Sequence, residues 1–112
     1  MSYRIEYAAP QTYRDVKSLP AFYRRQAKNI IESLKVDPYP SRSKALRDIY
    51  LCRRIWLGDS WRILYQVDDV EQVVYIVAIR PKNDETYQSL ELAIPAHKVG
   101  HAGRSREPGS DG

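Results

Sequence analysis

The tightest constraint on this chain lies between Tyr50 and Arg80, where three apolar, alternating segments follow one another across two short polar joins. They read YLCRRIWL, SWRILYQV and VVYIVAIR, with Gly58–Asp59 in the first join and Asp68 to Gln72 in the second. Joins this short pair their strands antiparallel, so the stretch predicts a three-stranded meander. Successive strand residues point to opposite faces. Leu51, Ile55 and Leu57, then Trp61, Ile63, Tyr65 and Val67, then Val73, Tyr75, Val77 and Ile79 are the expected core side. The opposite side gathers Arg54, Trp56, Arg62 and Arg80, with Lys82 and Tyr87 just past the last strand. Guanidinium forks fit phosphate, and aromatic rings stack on unpaired bases, so that side suits a polyanion carrying flat bases. Arginine on an exposed strand face also serves solubility alone.

Upstream, Tyr3, Ile5 and Tyr7 alternate with Arg4 and Glu6, which is the pattern of a half-buried strand over Ser2–Tyr7. Pro10 then opens a short helix to about Lys17, with Tyr13 and Val16 on its inner side. Leu19–Pro20 starts a second helix, to about Lys35. Its stripe of Tyr23, Ala27, Ile30, Ile31 and Leu34 keeps helical spacing, and Arg24, Arg25, Lys28 and Glu32 form a solvated face. Pro38 and Pro40 end it. Ser41 to Asp48 is read as a basic linker pinned to the core edge by Leu46. The expected architecture is an α+β two-layer sandwich: an N-terminal strand, a helical hairpin, the meander and a short C-terminal element. The first strand should join one edge of the meander. Residues 1–95 form the single expected domain, and the polar residues 96–112 a disordered tail.

The net charge of +4 and a pI near 9.3 favour an acidic partner. Cys52 is the only cysteine, which excludes an intramolecular disulfide and is compatible with a reducing cytoplasm. It reads as a small residue packed in a strand, since a catalytic thiol would want a histidine or another activating group beside it. No apolar run has the length of a signal peptide or membrane span. His97 and His101 fall in the tail, so no histidine acid–base pair belongs to the body, and no cluster has metal-ligand spacing. No metal and no cofactor are expected.

Several segments, taken in order, carry a family likeness. They are the opening YRIEY, the helix-ending VDPYP, the linker SKALRD, CRRIWLGDSWRILYQVDD and VVYIVAIRPKNDETY. From Tyr3 to about Leu90 the chain resembles the RelE/ParE superfamily of toxins from bacterial type II toxin–antitoxin systems. The resemblance implies a cytoplasmic toxin, with two activities open. The RelE-like branch, which the residues favour, cuts mRNA in the ribosomal A site. The ParE-like branch is non-enzymatic and poisons DNA gyrase.

For the RelE-like branch, Arg54 matches the first basic position of the meander and Arg62 the arginine opening the next strand. Arg80 or Lys82 matches the basic position after the last strand, and Tyr87 the terminal tyrosine. Trp56 stands where the family has a second basic residue. Arg62, Tyr87, Arg80, Lys82 and Arg54 are thus the implied catalytic set, with Arg53, Trp56, Lys44 and Arg47 contacting RNA. Cleavage of this kind is metal-independent. The RNA's own 2′-hydroxyl attacks the phosphodiester, and cations stabilise the charge that develops. Tyr87 would act as base or stack on a base. The implied partners are a cognate antitoxin, the ribosome and mRNA, or gyrase in the alternative, with operator DNA reached through the antitoxin complex.

Overall fold

A computed structural model describes residues 2–82 and 90–96 of the chain. Its elements are β1 (Arg4–Tyr7), α1 (Pro10–Lys17), α2 (Ala21–Ser33), β2 (Lys44–Ala45), β3 (Cys52–Leu57), β4 (Trp61–Asp68) and β5 (Val73–Pro81). The strands form one mixed sheet in the order β1-β5-β4-β3-β2. The α+β class and the meander follow the sequence reading. The linker differs, because Lys44 and Ala45 pair with Arg54 and Arg53 as an antiparallel edge strand. Two residues are too short for any periodicity to announce.

Both helices start without a side-chain cap, Pro10 occupying the first turn of α1 and Pro20 the position before α2. A proline there forfeits nothing, because first-turn N–H groups have no intrahelical partner. Leu19 is buried in the short connection, and Arg24 donates to its carbonyl at 3.0 Å. The stripe of α2 packs as its spacing predicts. Ala27, Ile30, Ile31 and Leu34 meet Ile55, Leu57, Ile63, Tyr65, Val67 and Ile79 in one core, with Tyr23 partly buried at its edge. On α1, Val16 is buried but Tyr13 is 47% exposed and meets Tyr7 edge-on instead, at 5.2 Å between ring centroids. The inward residue is Thr12, whose hydroxyl donates to the Val77 carbonyl at 2.9 Å.

β1 runs parallel to β5, pairing Arg4 with Val73 and Tyr7 with Ile76. Its start lies beside the end of α2, where the Tyr3 N–H donates to the Lys35 carbonyl at 2.8 Å. The Tyr3 and Tyr39 hydroxyls both donate to Asp69, at 2.8 and 2.7 Å, tying β1, the loop after α2 and the β4–β5 turn together. Burial, followed by the Asp69 carboxylate, raises the Tyr39 pKa above the ordinary tyrosine range.

The expected core is corrected in two places, before β3 and within β5. Leu51 has φ +53° and is 48% exposed, because the strand begins only at Cys52. In β5 the ladder shifts register: Leu64 pairs with Ala78 and Tyr65 with Ile76, leaving Val77 as the extra residue of a bulge. Before it the faces exchange, so Val74 and Ile76 join the helix-side core and Tyr75 is only partly buried. Val77 packs on the other side with Cys52, Leu64 and Ala78. That second cluster is covered by Ala8, Leu46, Ile49, Leu90 and Leu92. Gln66, fully buried, pins the cover: its amide donates to the Tyr50 and Ile94 carbonyls at 2.7 and 2.8 Å and accepts the Ile94 N–H at 3.0 Å.

Candidate nucleic-acid interface

The side of the sheet away from the helices is divided. The half near the start of β3 is apolar and covered, as just described. The half near the β3–β4 turn is cationic. Trp56 pairs directly with Arg62, and Arg62 with Arg80, so the three form one cross-strand row. Paired residues share a face with Cβ atoms about 5 Å apart. The next row holds Lys44, Arg54, Leu64 and Ala78. The Arg62–Arg80 pair thus sets two guanidinium-bearing residues directly opposite each other on adjacent strands.

Burial is graded across this surface. Arg62 is its floor at 6% exposure, Arg54 and Arg80 are half-buried, and Lys44 and Lys82 are exposed. The Arg54 guanidinium lies over the Trp56 ring at 4.3 Å from its centroid, and the Lys82 ammonium at 5.4 Å. Lys82 is set there by its backbone, whose N–H donates to the Ser60 carbonyl at 2.8 Å. Ser60 closes the turn that Gly58 opens at φ +61°. Among the described residues, no acidic side chain is within ion-pair distance of Arg54, Arg80 or Lys82.

The structure therefore brings Arg54, Trp56, Arg62, Arg80 and Lys82 together, with Lys44 extending the surface. Arg53 is elsewhere. It lies on the opposite face of β3, bonded to the Ser43 hydroxyl at 2.9 and 3.1 Å and stacked over Tyr39 at 5.1 Å. Arg47 is exposed in the turn between β2 and β3. Tyr87, His97, His101 and the expected tail from residue 97 on lie outside the described residues. Cys52 is buried, and burial pushes its thiol up to about 11, which suits a packed residue rather than a nucleophile. Among the described residues no three His, Cys, Asp or Glu side chains converge as a metal-ligand set, and no helix is long and apolar enough to cross a membrane.

Sequence reasoning passed over two positioning residues. Ser60 fixes Lys82 through a carbonyl, which no side-chain pattern can announce. Gln66 left a signal, as a polar residue inside an otherwise apolar strand.

The chemistry open to this surface is binding and electrostatic stabilisation of a phosphodiester. Arginine offers planar forks and holds its proton, whereas the lysine ammonium can also give one up.

The model of the ParE toxin of the type II toxin–antitoxin system parDE matches residues 8–85. No curated protein matches the chain significantly. Among solved structures, the archaeal RelE–RelB complex from Pyrococcus horikoshii matches with TM-score 0.65 and 25% identity, over 75% of this chain and 99% of that one. A mutant of E. coli toxin RelE in the free state matches with TM-score 0.61 and 26% identity, over 71% and 83%. The YoeB/ParE toxin from Agrobacterium tumefaciens, at 15% identity and TM-score 0.60 over 70% and 97%, shares the fold. With two thirds of its length under one family model and this sheet topology, the chain belongs to the ParE toxin family of type II toxin–antitoxin systems, within the RelE/ParE superfamily.

Proposed function

We propose that this toxin arrests translation by cutting mRNA on the ribosome, with the cationic half of the sheet as its catalytic face. The observation that carries the reading is the Trp56–Arg62–Arg80 row with Arg54 and Lys82 beside it. The RNA's 2′-oxygen attacks the adjacent phosphorus and the bond to the 5′-oxygen breaks. A 2′,3′-cyclic phosphate and a 5′-hydroxyl result. Arg62 and Arg80 stabilise the pentavalent phosphate, in surroundings where burial strengthens their field. Lys82 supplies the proton taken by the departing 5′-oxygen. Arg54 and Lys44 hold flanking phosphates. Tyr87 enters by resemblance alone, as the group that takes the proton of the attacking 2′-hydroxyl, and Arg47 as an outlying RNA contact; Arg53, on the opposite face of β3, is not part of this surface. Such a face has few contacts specific to RNA sequence, which fits a partner ribosome that presents the strand.

A cognate antitoxin completes the reading, since RelE and YoeB relatives are solved as complexes with theirs. A groove of about 480 Å³ between α1 and α2 suits an acidic segment of it, since Lys17, Arg24, Arg25 and Lys28 outnumber Glu32 in its lining beside Tyr7 and Tyr13. The name of the matching family model favours a second reading, gyrase poisoning without RNA cleavage. Inducible expression in a bacterium, with protein synthesis and plasmid supercoiling measured separately, decides between them. The nuclease reading expects synthesis to stop while supercoiling persists. Lost supercoiling with intact mRNA would replace it with the second.

A further inference from the structure

The position that should hold the family's second basic residue holds Trp56, and the geometry shows what stands in for the missing charge. Arg54 approaches the indole from its own strand, at 4.3 Å, and Lys82 from beyond β5, at 5.4 Å. Tryptophan has the strongest π-face attraction for a cation of the three aromatic side chains. Trp56 is 36% exposed and its ring already engages two cations, which compete with a nucleobase for its π surface. Its strand neighbour across the ladder is Arg62, so the cations it gathers sit beside the Arg62–Arg80 row.

We propose that Trp56 is a positioning residue: its indole holds the Arg54 guanidinium and the Lys82 ammonium as a preset pair beside the Arg62–Arg80 row, and it acts on a nucleic-acid backbone through those cations, not by stacking on a base. The inference rests on the cationic face meeting RNA. It replaces the stacking role that the sequence suggested. An aliphatic residue would cover the same strand but attract neither cation. Phenylalanine would keep much of the attraction.

The test uses the full chain and a single-stranded oligoribonucleotide carrying 2′-O-methyl groups throughout, which binds but cannot be cut. Anisotropy titrations over a range of salt give its affinity and the number of phosphates neutralised. Trp56→Leu is expected to weaken binding about ten-fold and flatten the salt slope, with Trp56→Phe within about three-fold of wild type. In an Arg54→Ala/Lys82→Ala background, Trp56→Leu should add less than about two-fold, because residues acting as a unit are non-additive. Circular dichroism confirms that each variant is folded.

An equal loss in both backgrounds would show the ring touching RNA itself and overturn the proposal, as would an unchanged Trp56→Leu or a wild type that binds no oligonucleotide. A coupled loss in a protein that leaves ribosomal mRNA intact would sustain the positioning role and defeat the nuclease reading. Ribosomal cutting together with an inert Trp56→Leu would do the reverse.

Discussion

Cys52 shows how location disarms a reactive side chain. Its thiol is 1% exposed, among Leu64, Val77 and Ala78, and burial pushes it up to about 11 from an ordinary value near 9. The folded protein thus holds this proton more tightly than the unfolded chain does. The stabilisation is complete below pH 9 and is lost as pH rises from about 9 to 11, on the order of 2 kcal/mol. Urea unfolding at stepped pH should show that fall, and Cys52→Ala should show less of it, the remainder coming from buried tyrosines such as Tyr65 whose pKa burial also raises. Below pH 9 a thiol reagent should label the native protein only on unfolding; fast labelling at pH 8 would contradict the buried placement. Gly58 is constrained in a different way. Its φ of +61° suits glycine, and an added Cβ would lie 2.9 Å from the Tyr23 ring. Gly58→Ala should cost about 1–3 kcal/mol, read as a lowered thermal midpoint. An unchanged midpoint would mean the turn does not pack against α2.

At the scale of elements, the second apolar cluster depends on one amide. Gln66→Leu would leave the Ile94 N–H, the Ile94 carbonyl and the Tyr50 carbonyl without their partner. Buried groups so deprived cost about 1–3 kcal/mol each, so a total loss of at least about 3 kcal/mol is expected. Amide exchange at Ile94 should speed up with it, and unchanged protection there would show the cover to be held by Leu90 and Leu92 alone. Elements of this kind differ in how far the sequence discloses them. The α2 stripe was readable because Ala27, Ile30, Ile31 and Leu34 interrupt a polar background at helical spacing. The bulge at Val77 was not, because residues 73–79 are apolar on both faces and a one-residue shift leaves no trace in such a run. The cationic face was readable because Arg54, Trp56, Arg62 and Arg80 share parity and the bulge falls before Arg80. Arg53 has the opposite parity, yet its partners Ser43 and Tyr39 come from a loop that no local pattern connects to β3. The edge chosen by β1 was equally hidden, since parallel pairing with β5 joins residues nearly seventy positions apart.

For the whole molecule, the two surfaces of the sheet divide the work. The helix side supplies the core that holds five strands in register. The far side supplies a half-covered apolar patch and, next to it, the cationic surface. Arg62 is central to the second, as the buried floor between Trp56 and Arg80. On the proposed reading this floor stabilises a phosphodiester during cleavage. Toe-print mapping of mRNA on purified translating ribosomes tests it most directly, comparing the wild type with Arg62→Ala after circular dichroism has shown both to be folded. New 3′ ends at the ribosomal A site are expected with the wild type, at a rate reduced about 10²–10³-fold in the variant. Equal cutting by the two proteins, or none by the wild type, would contradict it.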